Sequence, residues 1–305
     1  MSASGAEGQA AARGAGAEGP WTVLRLVLWS ADYLSGKGID SGRLDAEHLL
    51  AHVLGLGRLQ LYLQFERPLT PPELDVFRPL LKRRAAREPL QYILGHQPFR
   101  ELDLAVEPGV LIPRPETEVL VGEILAWARS EGLEAPVMLD VGAGSGAIAL
   151  SLAHEGYNTH IVAVELSEAA LEVARRNRDS AGLTEKVDLR GGSLFEPLGE
   201  NERFDVIASN PPYVAEVDEA GLEPEVRDWE PREALFAGAD GLDVVRRIVA
   251  GARAHLKDRG LLALEVGAGQ TAEVVELLRA TGEYEDVRVV RDYAGRQRFV
   301  LARAG

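Results

Sequence analysis

The 305-residue sequence predicts an α/β fold, a doubly wound sheet preceded by a small N-terminal helical domain. Three observations carry this. Helix and strand periodicities alternate from residue 116 onward, a glycine-rich turn closes the first strand of that series, and residues 21–87 show helical spacing only.

The helical part comes first. Val23, Leu24, Val27, Leu28 and Ala31 recur at helical spacing, as do Leu49, Leu50, Val53 and Leu54 behind Asp45, which reads as a cap. Gly55 and Gly57 punctuate, and Pro71 and Pro72 start a further helix through Phe77 and Leu81. That helix carries Arg78, Lys82, Arg83, Arg84 and Arg87, either a solvated face or a docking surface. The helical domain is expected over residues 20–88, behind a disordered tail at 1–19 rich in Ala, Gly and Glu. Residues 89–115, with Pro89, Gly95, Pro98, Pro108, Gly109, Pro113 and Pro115, read as a hairpin-like connector. Its short apolar segments are Tyr92-Ile93-Leu94 and Leu102-Asp103-Leu104-Ala105-Val106.

The main domain is expected over residues 116–305. Helices are predicted at 116–130, 147–154, 168–181, 242–256 and 271–280. Strands are predicted at 137–141, 161–165, 187–189, 204–209 and 261–266, and the last two, 286–292 and 298–302, should form an antiparallel hairpin at the sheet edge. Residues 214–240, acidic and rich in Pro and Gly, should form a loop above a substrate pocket. No internal repeat is visible.

Composition narrows the function. No apolar run reaches the roughly 18 residues that span a bilayer, and residues 1–19 lack the pattern of a secretory signal. Cysteine is absent, which removes disulfides, a thiol nucleophile and thiolate metal sites, and fits the cytoplasm. The net charge is −15, of which residues 91–305, with 22 Lys/Arg and 38 Asp/Glu, carry −16. Such a field opposes binding to a nucleic-acid backbone. His48 and His52 share a helical face, but no acidic partner pattern supports a site, and no metal is expected.

Two motifs carry chemistry. Leu139-Asp140-Val141-Gly142-Ala143-Gly144-Ser145-Gly146 closes the first strand of the sheet and opens a helix, with Glu165 ending the next strand. Glycine amides can approach a nucleotide-like ligand there, and a carboxylate at 165 can accept both hydroxyl protons of a ribose. Gly142, Gly144 and Ala147 also satisfy the dinucleotide pattern, so an NAD-dependent oxidoreductase fits this motif equally well. The second motif separates them. Strand 204–209 runs into Asn210-Pro211-Pro212-Tyr213, at the edge where open α/β sheets bind ligands. The Asn210 carboxamide oxygen and the Pro211 carbonyl can accept both N–H groups of a flat nitrogen, while Tyr213 packs on the planar group. Held so, the nitrogen can attack a sulfonium methyl in line, and orientation of that kind supplies about 7–11 kcal/mol of a barrier. No base is needed beforehand, because the N-methylated amide cation sheds its proton after transfer. Nicotinamide chemistry has no use for this segment.

Over residues 40–305 the chain resembles the protein-(glutamine) methyltransferases that modify class 1 peptide-chain release factors. Besides both motifs, it shares Glu88-Pro89-Leu90-Gln91-Tyr92-Ile93-Leu94-Gly95, Leu111-Ile112-Pro113-Arg114-Pro115-Glu116-Thr117-Glu118, Ala147-Ile148-Ala149-Leu150, Glu230-Pro231-Arg232 with Ala234-Leu235, and Gly241-Leu242-Asp243. Adenine DNA methyltransferases, the principal alternative, share only the nucleotide turn and Asn-Pro-Pro-Tyr. The resemblance implies a Rossmann-like class I methyltransferase sheet. It implies S-adenosylmethionine as cofactor, held by Gly142, Ala143, Gly144, Ser145, Gly146, Glu165, Ser193, Leu194 and Asn210. It implies as substrate the Gln of a release factor's Gly-Gly-Gln loop, held by Asn210, Pro211, Pro212 and Tyr213, with Phe99 walling the methyl-transfer pocket and the helical domain gripping the partner. Catalysis is assigned to Asn210, Pro211 and Tyr213, and the chain is expected to act as a monomer without nucleic acid or membrane. Two positions depart from the family: Glu165 stands where Asp is common, and Ser193 stands where an Asp contacts the adenine amino group. Leu194 would then cover the adenine face. Glu116, Thr117 and Glu118 need no more than a helix-start role.

Overall fold

The computed structural model describes residues 19–156 and 158–305 as two compact units, one ending at Leu94 and the other running from Gly95 to Gly305. The expected tail lies outside the described residues except for Gly19.

The first unit is helical: α1 (Val23–Ser35), α2 (Gly42–Leu54), α3 (Arg58–Tyr62), α4 (Pro71–Ala85) and α5 (Leu90–Leu94). Val23, Val27, Leu34, Leu49, Leu50 and Phe77 close its core. Helix α4 begins as its sequence demands, with prolines at the first positions and Glu73 accepting from the Thr70 amide at 2.8 Å. Asp45 does not cap a helix: α2 starts earlier, and the buried Asp45 carboxylate accepts from Arg84 Nε at 2.6 Å. The basic residues of α4 are mostly engaged within the unit. Arg84 pairs with Asp45, Arg83 with Glu88 and Arg78 with Asp75. Tyr92-Ile93-Leu94, expected to be extended, are helical. The Ile93 amide closes a turn onto the Pro89 carbonyl, and Gly95 stops it in a left-handed conformation.

The second unit opens with an antiparallel hairpin, β1 (His96–Phe99) and β2 (Leu102–Ala105). A seven-stranded sheet follows, built from β3 (Val137–Val141), β4 (His160–Glu165), β5 (Val187–Gly191), β6 (Phe204–Ser209), β7 (Leu256–Glu265), β8 (Tyr284–Arg291) and β9 (Gln297–Ala304). Their order is β5-β4-β3-β6-β7-β9-β8. Strands β3 to β7 are parallel, and β9 pairs antiparallel with both β7 and β8. Both faces are covered, so the central strands are apolar on both sides. Met138, Ile161, Val206 and Leu261 face helices α6 (Thr117–Ser130) and α7 (Ala147–Glu155). Their neighbours Leu139, Val162, Ile207 and Leu262 face α10 (Asp243–His255) and α11 (Thr271–Thr281). The remaining helices are α8 (Glu168–Ser180) and the short α9 (Pro224–Arg227). Chain order reverses between β3 and β6, which opens a crevice at their carboxyl ends.

Candidate active site

At that crevice lies a cavity of about 480 Å³. Its floor is the glycine turn after β3. The amides of Gly142 and Ala143 donate to the Val164 carbonyl at 2.9 and 3.1 Å, which ties the turn to β4. Gly144 has φ +58, and a Cβ there would meet nothing of the protein within 4 Å: the space it would enter is the cavity. Glu165 ends β4 at the rim, its carboxylate accepting from the Gly144 amide at 2.7 Å and the Ser167 amide at 2.8 Å.

Of the residues expected to hold a cofactor, Gly142, Gly144, Glu165, Ser193, Leu194 and Asn210 line this cavity. Ala143, Ser145 and Gly146 do not; they form the underside of the turn. The Ser145 carbonyl accepts from Asn177 Nδ2 at 2.9 Å, and that same side chain bridges both polar groups of the Ala105 backbone. Gly146 is the residue before α7. Ser193 Oγ accepts from Arg247 Nη2 at 3.2 Å, which leaves its hydrogen and a second lone pair for a ligand. Leu194 has φ +52, a left-handed conformation costly for a branched residue.

The Asn-Pro-Pro-Tyr segment leaves β6 beside this turn. Ser209 Oγ donates to the Val141 carbonyl at 2.6 Å and locks the ends of β6 and β3 together. A smaller pocket opens on the far side, lined by Leu111, Arg114, Tyr213, Val214 and Leu235. Leu111, Asn210, Pro211 and Ala234 line both spaces, so the Asn-Pro corner is their common wall. Pro212 lines the larger cavity and Tyr213 the smaller one.

Polar partners fix this corner. Asn210 Nδ2 donates to Thr117 Oγ1 at 3.2 Å, while Asn210 Oδ1 is buried without a hydrogen-bond partner. Thr117 donates to Glu265 Oε2 at 2.7 Å, and Arg298 Nη2 donates to Glu265 Oε1 at 3.0 Å and to the Tyr213 hydroxyl at 2.8 Å. Burial raises the pKa of Glu265, against the hydrogen bonds from Thr117 and Arg298. Burial also raises the Tyr213 phenol, and Glu265 adds to that while Arg298 opposes it. The Tyr213 carbonyl accepts from Gln270 Nε2 at 2.9 Å.

Three sequence expectations change here. Phe99 does not wall the pocket; it is 1% exposed, packed in the core with Leu104 and Leu120, because the hairpin turns its aromatic side inward. Residues 116–118 do more than start a helix: Glu116 pairs with Arg296, Thr117 reaches Glu265, and Glu118 accepts from the Arg100 amide. The segment 214–240 is folded, with short helical turns at Glu216–Gly221, Pro224–Arg227 and Arg232–Ala234. Pro231, Glu233 and Ala234 from it line the larger cavity. Arg114 fastens it by donating to both oxygens of the buried Glu230, at 2.6 and 2.8 Å. Arg247, on the face of α10 that meets the cavity, carried no sequence signal beyond its charge.

A sheet of this order, with a glycine-floored cavity at its reversal point and an Asn-Pro corner alongside, defines an S-adenosylmethionine-dependent methyltransferase. Residues 25–95 match the family described as PrmC N-terminal domain, and residues 118–222 match the methyltransferase small domain. A release factor glutamine methyltransferase of Geobacter sulfurreducens is 46% identical over 93% of this chain and 98% of its own length. One from Moorella thermoacetica is 44% identical over 92% and 98%. The chain belongs to the release factor glutamine methyltransferase family.

Solved methyltransferase structures share the fold. The hMettl16 catalytic domain aligns with TM-score 0.55 and 20% identity, over 74% of this chain and 81% of that one. The T. thermophilus 16S rRNA N2 G1207 methyltransferase aligns with TM-score 0.52 and 21% identity, over 69% and 50%. Among the described residues no helix is long and apolar enough to cross a membrane.

Proposed function

We propose that this enzyme methylates the side-chain amide nitrogen of the Gln in the Gly-Gly-Gln loop of class 1 release factors, acting as a cytoplasmic monomer. The carrying observation is the orphaned Asn210 Oδ1 in the wall shared by the two pockets. A buried acceptor without a donor costs about 1–3 kcal/mol, and a substrate N–H relieves that cost.

The larger cavity fits the cofactor: Gly144 leaves room for a close ligand, and Glu165 offers two carboxylate oxygens to a ribose. Bound there, S-adenosylmethionine supplies a sulfonium methyl. The chain's own residues do the rest. Asn210 Oδ1 and the Pro211 carbonyl accept the two amide hydrogens, which turns the nitrogen lone pair toward the larger cavity. Tyr213, held by Arg298 at its hydroxyl and Gln270 at its carbonyl, walls the smaller pocket that takes the glutamine stem. Pro211 and Pro212 stiffen the corner. The proton leaves to water after transfer, so no side chain need act as base. The helical unit, matching a domain that family members share, contributes to gripping the release factor. The acidic net charge disfavours a DNA substrate.

The test is incubation of a purified release factor with methyl-labelled S-adenosylmethionine, followed by peptide mapping. Wild-type enzyme should label the loop glutamine alone. Asn210→Ala should lower turnover by about 100-fold or more. Label on any other residue, or full turnover by Asn210→Ala, refutes the assignment.

A further inference from the structure

The hydrogen-bond chain behind the Asn-Pro corner determines more than the position of Asn210. We propose that Glu265, acting through the Thr117 hydroxyl, sets which end of the Asn210 carboxamide faces the substrate. Thr117 and Glu265 are thus positioning residues for the transfer, and the inference rests on the glutamine reading above.

The argument follows the protons. Paired with the Arg298 guanidinium at 3.0 Å, Glu265 acts as a carboxylate against the upward push of its burial, and a carboxylate only accepts hydrogen bonds. Glu265 is 0% exposed and receives the Arg298 guanidinium on Oε1, so its Oε2 takes the hydrogen of the Thr117 hydroxyl at 2.7 Å. With its single hydrogen committed, Thr117 Oγ1 can only accept from Asn210 at 3.2 Å. The group of Asn210 that meets it must therefore be the NH₂, and Oδ1 is left facing away with no protein partner. A flipped carboxamide would oppose an oxygen lone pair to the hydroxyl oxygen and present two N–H groups to a substrate that itself brings N–H. Such a corner repels the glutamine amide instead of binding it. Arg298, half-buried alongside, also donates to the Tyr213 hydroxyl, so one guanidinium braces the carboxylate and the aromatic wall. A buried ion pair of this kind is weak evidence for stability, and its better-attested use is to enforce one arrangement.

Three variants separate this from a merely structural role. Thr117→Val keeps the shape and removes the hydroxyl. It should lower kcat about 10- to 100-fold, with the KM for S-adenosylmethionine within about 2-fold of wild type. Thr117→Ser restores the hydroxyl and should recover most of that loss. Glu265→Gln can donate to the hydroxyl and release its hydrogen toward Asn210, so it should resemble Thr117→Val. The deciding measurement is a double-mutant cycle. In an Asn210→Ala background, adding Thr117→Val should change kcat by less than about 2-fold, because the residue it orients is gone. An equal drop in both backgrounds overturns the proposal, as does full kcat in a folded Thr117→Val enzyme. Should Glu265→Gln fail to fold, the Thr117 pair and the cycle still decide. Wild-type enzyme that fails to label the loop glutamine would instead refute the substrate reading.

Discussion

Gly241→Ala tests how tightly the Asn-Pro-Pro-Tyr segment is held from behind. Gly241 has φ +74, and a Cβ built there lies 2.2 Å from the Tyr213 carbonyl oxygen and 2.7 Å from Gln270 Nε2. Gln270 Nε2 is the group that donates to that carbonyl and, at 3.0 Å, to the Asp240 carbonyl. A left-handed conformation costs a non-glycine residue about 1–2 kcal/mol, and relieving such an overlap through backbone shifts costs about 1–3 kcal/mol more. The sum, about 2–5 kcal/mol, corresponds to a Tm lower by about 5–15 °C for a unit of this size. The backbone at Tyr213 must also give way, and a displacement approaching 1 Å in a positioning element can cost about 100-fold in rate. Thermal unfolding and single-turnover methyl transfer measure the two effects separately. Gly144→Ala is the contrast. It bears the conformational cost alone, since nothing lies within 4 Å of its Cβ, but it intrudes on the cofactor cavity, so its defect should appear in cofactor affinity. A Gly241→Ala enzyme with wild-type kcat and a Tm within about 2 °C would show that the Tyr213 carbonyl is not held as described.

Further outcomes follow from other contacts. Glu165→Gln keeps the side-chain shape but loses the charge, so S-adenosylmethionine binding measured by calorimetry should weaken about 10-fold. An unchanged Kd would remove Glu165 from the ribose site. Arg114→Ala leaves the Glu230 carboxylate, 2% exposed, without its cation, a loss of about 2–3 kcal/mol once the partial exposure of Arg114 is allowed for. Limited proteolysis should then cut faster within residues 216–240, and identical cleavage kinetics would speak against the tether. Asp140 is fully buried, and burial pushes its carboxyl up to about 7, opposed by the Ala149 amide and reinforced by Glu165. Because the folded value lies above the unfolded one near 4, the contribution of Asp140 to stability should be fully present in acid and be lost as pH rises from about 4 to 7. Asp140→Asn should flatten that part of a denaturant-stability profile, and an unaltered slope would count against it.

Much of the sheet was legible because parallel strands covered on both faces leave an unambiguous apolar run. The strands at 137–141 and 204–209 stand where those runs predict. Strand β7 starts earlier than its apolar run because Leu256 already pairs with Phe204; Lys257, Asp258 and Arg259 fall in the irregularity before Leu261 pairs with Val206, and they carry no burial signal. Asp45 illustrates the opposite failure. Its type and place suit a cap, and only the fold brings Arg84 to it. The site divides along the same line. Gly144, Glu165 and Asn210 are local features of strand ends, and their roles can be argued from a few neighbouring residues. Thr117 and Glu265 lie 148 positions apart, Arg298 and Tyr213 lie 85 apart, and Arg114 and Glu230 lie 116 apart, so no local pattern links them. Phe99 was misread for a related reason: alternation assigns a strand residue to a face, but not the face to a pocket.

The corner's design has an energetic logic that stability alone would not select. Replacing Thr117, Glu265 and Arg298 by apolar residues of similar volume would remove a buried ion pair whose desolvation cost offsets much of its attraction. Completing Asn210 Oδ1 with a protein donor would recover about 1–3 kcal/mol more. Neither has happened, and the two facts require each other. An acceptor left unsatisfied binds an amide only if the carboxamide cannot rotate to hide it, and rotation is prevented only by a hydroxyl whose hydrogen is already committed to a carboxylate. The enzyme therefore holds its substrate site in a state that the substrate completes, so that the glutamine nitrogen, once its two hydrogens are accepted, has a single direction left in which to present its lone pair.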